Sequence, residues 1–314
     1  MVATSSLVSP TKHWKTREQD ASYRVETSFY LIQALNGIQY GFLLFLVASG
    51  LTLVFGVMGI INLAHGSFYM IGAYLAWSLT GITGNLLIAA LIALPVALLI
   101  GFAVERICIS HLHGRDHLDQ VLLTYGLILI FNEAQRLIWG NDVYGVAVPQ
   151  WLSGSIALTD TQTYPVYRLF ISAVCIAVGA GLYGVIKKTR LGMTIRAAAS
   201  NREMAQAMGV DANRLFAVVF AIGAGLAAFS GIIAAPVEAV YPGIGENILV
   251  VSLVIVVIGG IGSIKGAFAG AMLIGLADAF GKAMLPEFAS FAVYGVMAAA
   301  LVWRPHGLFG RVKR

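Results

Sequence analysis

Few residues of this 314-residue chain are of types that do chemistry, and their spacing limits what they can do. Glu133 and Arg136 stand three apart, and Asp278 and Lys282 four apart, so each pair lies on one helix face. Each pair is expected to neutralise itself near a span end. No apolar window supplies the isolated carboxylate that a proton relay through a membrane would want. His65 and Asn62 sit in the run GVMGIINLAHG at 56–66. They can line a path through the protein, or hold a broken helix together by hydrogen bonds. Neither has a second ligand at a metal-binding spacing. Serine, histidine and acidic residues are too scattered for nucleophilic catalysis, and no G-x-x-x-x-G-K-[ST] phosphate loop is present. The chain is therefore expected to be no enzyme and to bind no metal or nucleotide.

The longest polar interruption runs from 187 to 214. It holds Lys187, Lys188, Arg190, Arg196, Arg202 and Arg214 against only Glu203 and Asp211. Within it Ala197, Ala198, Met204, Ala205 and Met208 recur at helical spacing before Gly209 stops the helix. A short amphipathic helix at a membrane surface follows, able either to receive another protein or to rest on lipid headgroups.

The elements around these residues are set by composition. The chain is 59% hydrophobic and 11% charged, against about a quarter charged in soluble domains, which makes it a polytopic membrane protein. Apolar windows fall at 29–55, 57–80, 84–104, 120–139, 165–186, 215–236, 247–264, 267–284 and 288–303. They predict an all-α fold of eight or nine spans in one domain, 29–304, after a polar tail at 1–28 and before a basic tail at 305–314. The net charge is +5, and the basic residues sit in inter-span loops and at the C-terminus, so they report membrane orientation and not nucleic-acid binding. By that rule 187–214 and the C-terminal tail face the cytoplasm. The loops 140–164 and 237–246 hold no Lys or Arg and face outward, and nine spans then put the N-terminus outside, against the vote of Lys12, Lys15, Arg17 and Arg24 in its tail. If 57–80 dips in and returns, or one window is not a span, the N-terminus is inside. The two cysteines, Cys108 and Cys175, imply neither a disulfide framework nor a metal site.

The run GGIGSIKG at 259–266 interrupts the apolar sequence as 56–66 does. Both are read as broken or re-entrant helices, or else as tight turns between spans. At an offset of 200 residues, 53–68 and 253–268 share seven identities in sixteen positions, among them Gly59/Gly259 and Gly66/Gly266. Paired interruptions of this kind point to a transport path between internal repeats. The path candidates are Asn62, His65, Gly66, Ser67, Gly259, Gly260 and Gly262.

INLAHGSFYMIGAY at 61–74, GxxxRAAASN…A…GV from Gly192, and IGGIGSIKGAFAGA at 258–271 together resemble the Liv-type H-subunit family of branched-chain amino acid ABC transporter permeases. The resemblance covers about residues 29 to 310. It implies an ABC-importer permease fold in a bacterial inner membrane, with Gly192, Arg196, Ala197, Ala198, Asn201, Ala205 and Gly209 in the segment that couples to an ATPase. It also implies a second permease subunit, two ATPase subunits that use the ATP, and a periplasmic binding protein. The substrate is expected to be a branched-chain or other apolar amino acid. Urea, amides or aromatic acids are the alternatives within the same type, and a stand-alone secondary transporter lies outside it.

Overall fold

The computed structural model describes residues 11–112, 114–159, 162–304 and 307–309. Each of the nine apolar windows corresponds to a helix, and the all-α polytopic fold is as expected. The helices are α1 (Thr11–Met58), α2 (His65–Thr83), α3 (Leu86–Ile107), α4 (His117–Trp139) and α5 (Val166–Lys188). The polar segment follows as α6 (Arg190–Ser200) and α7 (Arg202–Ala207). The chain then completes α8 (Ala212–Ala234), α9 (Ile244–Gly259), α10 (Ile264–Met284) and α11 (Ala289–Trp303). A small antiparallel hairpin, β1 (Ser155–Thr159) and β2 (Gln162–Pro165), lies between α4 and α5 with Ile156 opposite Tyr164.

Among the described residues, six helices are long and apolar enough to cross a membrane. Burial separates them into two roles. The apolar stretches of α1 and α8 are each 83% buried, whereas those of α3, α4 and α5 are 17–22% buried. Helices α1 and α8 are thus the central pillars, and the others turn side chains such as Leu91, Leu99 and Ile130 outward, as a lipid-facing surface requires.

Small residues set how closely the pillars approach their neighbours. Gly37 and Gly41 form a small-xxx-small stripe on α1 that faces Ala271 and Gly275 on α10. A Cβ at Gly37 would stand 2.9 Å from the Leu276 Cα. Ser230 of α8 donates to the Leu43 carbonyl of α1 at 3.1 Å, and Tyr167 of α5 donates to the Ile233 carbonyl at 2.9 Å. The peripheral α4 is tied to α2 by Gln135 Nε2 to the Tyr74 hydroxyl at 2.9 Å and Trp139 Nε1 to Ser78 Oγ at 2.6 Å. Tyr74→Phe removes an acceptor from a buried amide and is expected to cost about 1–2 kcal/mol. A fall in the unfolding temperature of purified protein measures it, and an unchanged temperature would show that Gln135 needs only its second acceptor, the Gly140 carbonyl.

Four readings are refined by the structure. The polar tail at 1–28 is helical from Thr11 as part of α1, since no glycine or proline interrupts the sequence between Thr11 and Gly37; residues 1–10 lie outside the described residues. The window at 57–80 starts its helix only at His65, because Gly59 ends α1 with φ +70°. The C-terminal tail begins against the bundle: Leu308 N donates to the Ile258 carbonyl at 2.7 Å and Phe309 N to the Gly259 carbonyl at 3.1 Å. Residues 305, 306 and 310–314 lie outside the described residues. Helices α9 and α11, at 16 and 15 residues, are too short to cross the ~30 Å hydrocarbon layer upright.

Candidate functional site

The polar segment after α5 is built from three caps in a row. Thr189 Oγ1 accepts from Gly192 N at 3.1 Å and starts α6. Asn201 Oδ1 accepts from Met204 N at 2.9 Å and starts α7. Asp211 Oδ1 accepts from Arg214 N at 3.1 Å and starts α8. The one amphipathic helix expected from the spacing of Ala197 to Met208 is thus two. Asn201 has φ −153°, an extended backbone that ends α6, and its side chain caps the next helix instead of continuing the last one. Gly209 closes α7 with φ +88°, a conformation that glycine adopts without strain.

The two short helices divide the predicted coupling residues between two faces. Gly192, Ala198 and Ala205 are buried, whereas Arg196, Ala197, Asn201 and Gly209 are exposed. Gly192 lies where a Cβ would run into the Val185 and Ile186 carbonyl oxygens at the end of α5. Arg196 donates to the Ile186 carbonyl, and the Arg202 guanidinium lies 4.7 Å from the centre of the Phe216 ring on α8. The segment is thereby fastened to both α5 and α8. The outer face carries three exposed methionines, Met193 (59% exposed), Met204 (61%) and Met208 (79%). Three exposed thioethers on a segment fastened at two points form a flexible apolar face, chemically suited to packing against another protein.

The first glycine run re-enters the bundle. His65 Nε2 lies 3.0 Å from the Val47 carbonyl, which is about 16 Å back along α1 from Met58 at ~1.5 Å per residue. Between the helices Asn62 Oδ1 accepts from Ala64 N at 3.0 Å, and the Asn62 carbonyl accepts from His65 N at 3.2 Å. These bonds satisfy backbone groups that an irregular segment would otherwise leave bare in an apolar interior. Asn62, His65, Gly66 and Ser67 are all buried within the packed chain. Gly66 meets Gly245 backbone to backbone, so the N-termini of α2 and α9 abut inside the bundle.

The second run is a tight turn. Gly260 and Gly262 take φ +92° and +78°, and Ser263 Oγ accepts from Gly266 N at 3.1 Å to start α10. Gly259 packs on Gly266, and Gly262 on Gly56 near the end of α1. The two runs are therefore alike in sequence and in their helix–glycine–helix order, yet only the first carries chain back into the interior.

At the end of the bundle away from α6 and α7 is a cavity of about 340 Å³ that sequence reading passed over. It is bounded by α1, α5, α10 and the turn between α8 and α9, and its polar wall includes Arg168, Glu238, Asp278 and Lys282. Asp278 and Lys282 pair at 2.7 Å as their spacing predicts. Glu133 and Arg136 also pair, at 3.5 Å, but both are more than half exposed and so contribute little. Glu238 was legible only as a loop acid. Its partner, the Tyr69 hydroxyl at 2.8 Å, is on a distant helix. Glu105, at the end of α3, is a further buried acid outside the predicted set.

Comparison with known proteins places these features in a wider context. Residues 33–301 match the family model described as branched-chain amino acid transport system / permease component. The chain is 32% identical to the high-affinity branched-chain amino acid transport system permease protein BraD of Pseudomonas aeruginosa, over 91% of this chain and 97% of that one. It is 30% identical to the corresponding LivH of Escherichia coli K12, over 90% of this chain and 96% of that one. To LivM of Escherichia coli K12, another permease protein of a high-affinity branched-chain amino acid system, it is 25% identical over 84% of this chain and 67% of that one. No solved structure matches the chain.

Proposed function

The chain belongs to the family of branched-chain amino acid transport permease components, and from that premise we propose that it is the multi-pass membrane subunit of an ATP-driven importer. Its cargo on this reading is a branched-chain or other apolar amino acid, handed over by a periplasmic binding protein at a bacterial inner membrane. A second permease subunit completes the path, and two cytoplasmic ATPase subunits consume the ATP.

The observation that carries this reading is the capped, doubly fastened segment of α6 and α7 with its exposed methionine face. A secondary transporter needs no surface for docking an ATPase. Closure of the ATPase pair would push on α7. The Arg196 and Arg202 contacts would pass that push to the ends of α5 and α8. Helix α8 is a central pillar on which α2 packs, so its displacement moves α2 and, through the Gly66–Gly245 contact, the junction with α9. The path candidates Asn62, His65, Gly66 and Ser67 act, on this view, in the joint that changes. Gly259, Gly260 and Gly262 act in the turn between α9 and α10.

The test is uptake of L-leucine, L-isoleucine and L-valine by vesicles holding this chain with its partner permease, ATPases and binding protein. ATP-dependent accumulation is the expected result. Accumulation that follows an ion gradient without ATP would overturn it, and transport of urea, amides or aromatic acids in place of these three would reassign the cargo. Gly192→Val is expected to lower uptake about tenfold or more with the chain still inserted, because α6 must leave its seat on the α5 carbonyls. Uptake within twofold of the unaltered protein would show that the seat is dispensable.

A further inference from the structure

The geometry points to the cavity between α1, α5, α10 and the α8–α9 turn as a binding site for the zwitterionic backbone of an amino acid, with Arg168 and Lys282 facing its carboxylate and Glu238 and Asp278 facing its ammonium. The inference rests on the amino-acid permease reading and names where, in this chain, the common part of such a cargo is recognised.

Several observations converge on it. At about 340 Å³ the cavity falls within the roughly 300–1,000 Å³ typical of small-molecule sites. Two cationic and two anionic side chains line it, so its own charge sums to zero. A free anion or cation would leave one pair of these groups uncompensated, whereas a zwitterion carries both signs and no net charge. The charged groups come from separate elements: Arg168 from α5, Glu238 from the α8–α9 turn, and Asp278 and Lys282 from α10. A structural ion pair needs only the two residues on α10, and the Arg168 and Glu238 charges are additional to it.

Each of the other two is held by a neutral group that leaves hydrogen-bonding capacity unused. Arg168 Nη1 donates to Asn36 Oδ1 at 2.5 Å and the guanidinium also bonds the Tyr164 side chain, which leaves part of its five donors free. Glu238 accepts from the Tyr69 hydroxyl through a single oxygen, Oε2. Burial raises the Glu238 carboxyl above the ordinary carboxylate range and Asp278 adds to this, while the Tyr69 hydrogen bond, Lys282 and Arg168 pull it back. An incoming ammonium would relieve that burial cost directly.

Gln39 supplies an independent sign of a missing ligand. It lines the same cavity, is 4% exposed, and its Nε2 has no hydrogen-bond partner among the described residues. A buried amide donor is rarely left unpaired without a reason. A turn of the buried amide toward the cavity would let it donate to a carboxylate held by Arg168, and Leu43 on the wall offers an apolar contact for the remainder of the cargo.

The experiment uses the assembled transporter in vesicles and tritiated L-leucine, comparing the unaltered chain with Arg168→Gln, Glu238→Gln and Gln39→Leu. Each charge-removing variant is expected to lose about tenfold or more in uptake, since a charge-assisted hydrogen bond to the cargo is lost, and Gln39→Leu is expected to lose severalfold. The amount of each variant in the membrane and its co-purification with the ATPases are measured alongside. If Arg168→Gln or Glu238→Gln is poorly inserted, Arg168→Lys and Glu238→Asp keep the charge and are expected to retain most of the uptake. Uptake by the normally inserted charge variants within twofold of the unaltered chain would overturn the site while leaving the transport function standing. Absence of leucine, isoleucine and valine uptake by the unaltered chain would overturn the transport reading, and this site with it. Phosphatidylethanolamine also presents an ammonium beside an anion, so the assay is repeated in vesicles of phosphatidylglycerol alone. Losses that persist there support an amino-acid site. Losses confined to phosphatidylethanolamine vesicles would assign the cavity to a lipid headgroup.

Discussion

Changing Met204 and Met208 together to aspartate is expected to strip the ATPase subunits from the membrane complex and to cut uptake about 100-fold or more. Met204 on α7 and Met208 just after it are both exposed, and neither contributes to the buried face of the segment. Apolar anchors at the centre of an interface are each worth about 2 kcal/mol or more when removed. Two of them account for a hundredfold even before the cost of burying a carboxylate is added. The chain should insert normally, because Thr189, Asn201 and Asp211 still cap their helices and the Gly192 seat is untouched. The assay is co-purification of the ATPases with detergent-extracted chain, together with ATP-dependent leucine uptake. Retention of the ATPases at normal levels would remove α7 from the coupling role. Substitution at Ala198 is a poorer probe of docking, because Ala198 is 5% exposed and packs inward. A carboxylate there would disturb the segment itself, and loss of the ATPase would follow for the wrong reason.

The second large effect is expected at the junction of α2 and α9. Gly66→Val and Gly245→Val should each leave little correctly folded protein, seen as aggregation on extraction or a large fall in unfolding temperature. A Cβ at Gly66 would stand 2.9 Å from the Leu249 Cβ even apart from its collision with the Gly245 backbone, and one at Gly245 would stand 2.7 Å from the Gly66 carbonyl oxygen. Backbone cannot be displaced as the end of a flexible side chain can. The cost is set at or above the ~1–3 kcal/mol typical of overpacking. Gly181→Val on α5 is the matched control, since a Cβ there meets nothing within 4 Å. Equal damage from the control would mean that helix propensity, and not the junction, explains the loss.

How much of this could be read from the residues alone differs from element to element. The nine helices follow from long apolar windows, because lipid leaves an isolated segment few ways to satisfy its backbone other than as a helix. The Asp278–Lys282 pair follows from spacing on one helix. The break at Asn201 was harder. Alanine and methionine kept their helical period across it, and the period does not reveal that an asparagine side chain has turned to cap the next helix. The re-entry at 59–64 was legible as one of two alternatives. A glycine run says that a helix stops, but the direction of the returning chain depends on what it packs against, here Val47 and Gly245.

The polar cavity lay beyond reach for a further reason. Gln39, Arg168, Glu238 and Asp278 come from four stretches that span 240 positions of the sequence, and no local pattern links them. Each has a bland local explanation: Arg168 as a charge at a helix start, Glu238 as a loop acid, Asp278 as half of an i,i+4 pair, and Gln39 as one polar residue in a long helix.

The amino-acid sequence alone was enough to make this a polytopic helical membrane protein with a basic segment at 187–214, and the likeness to permeases of branched-chain amino acids was carried by runs of consecutive residues. Those properties are local, set by hydropathy, charge and glycine placement within a few turns of chain. Packing in three dimensions was needed to turn the 187–214 segment into two fastened helices with Ala198 and Ala205 inside and the methionines outside. It was needed equally to bury Asn62 and His65, and to gather four charges around one cavity. Side-chain direction and long-range neighbours follow from how helices pack, and that depends on all of them together.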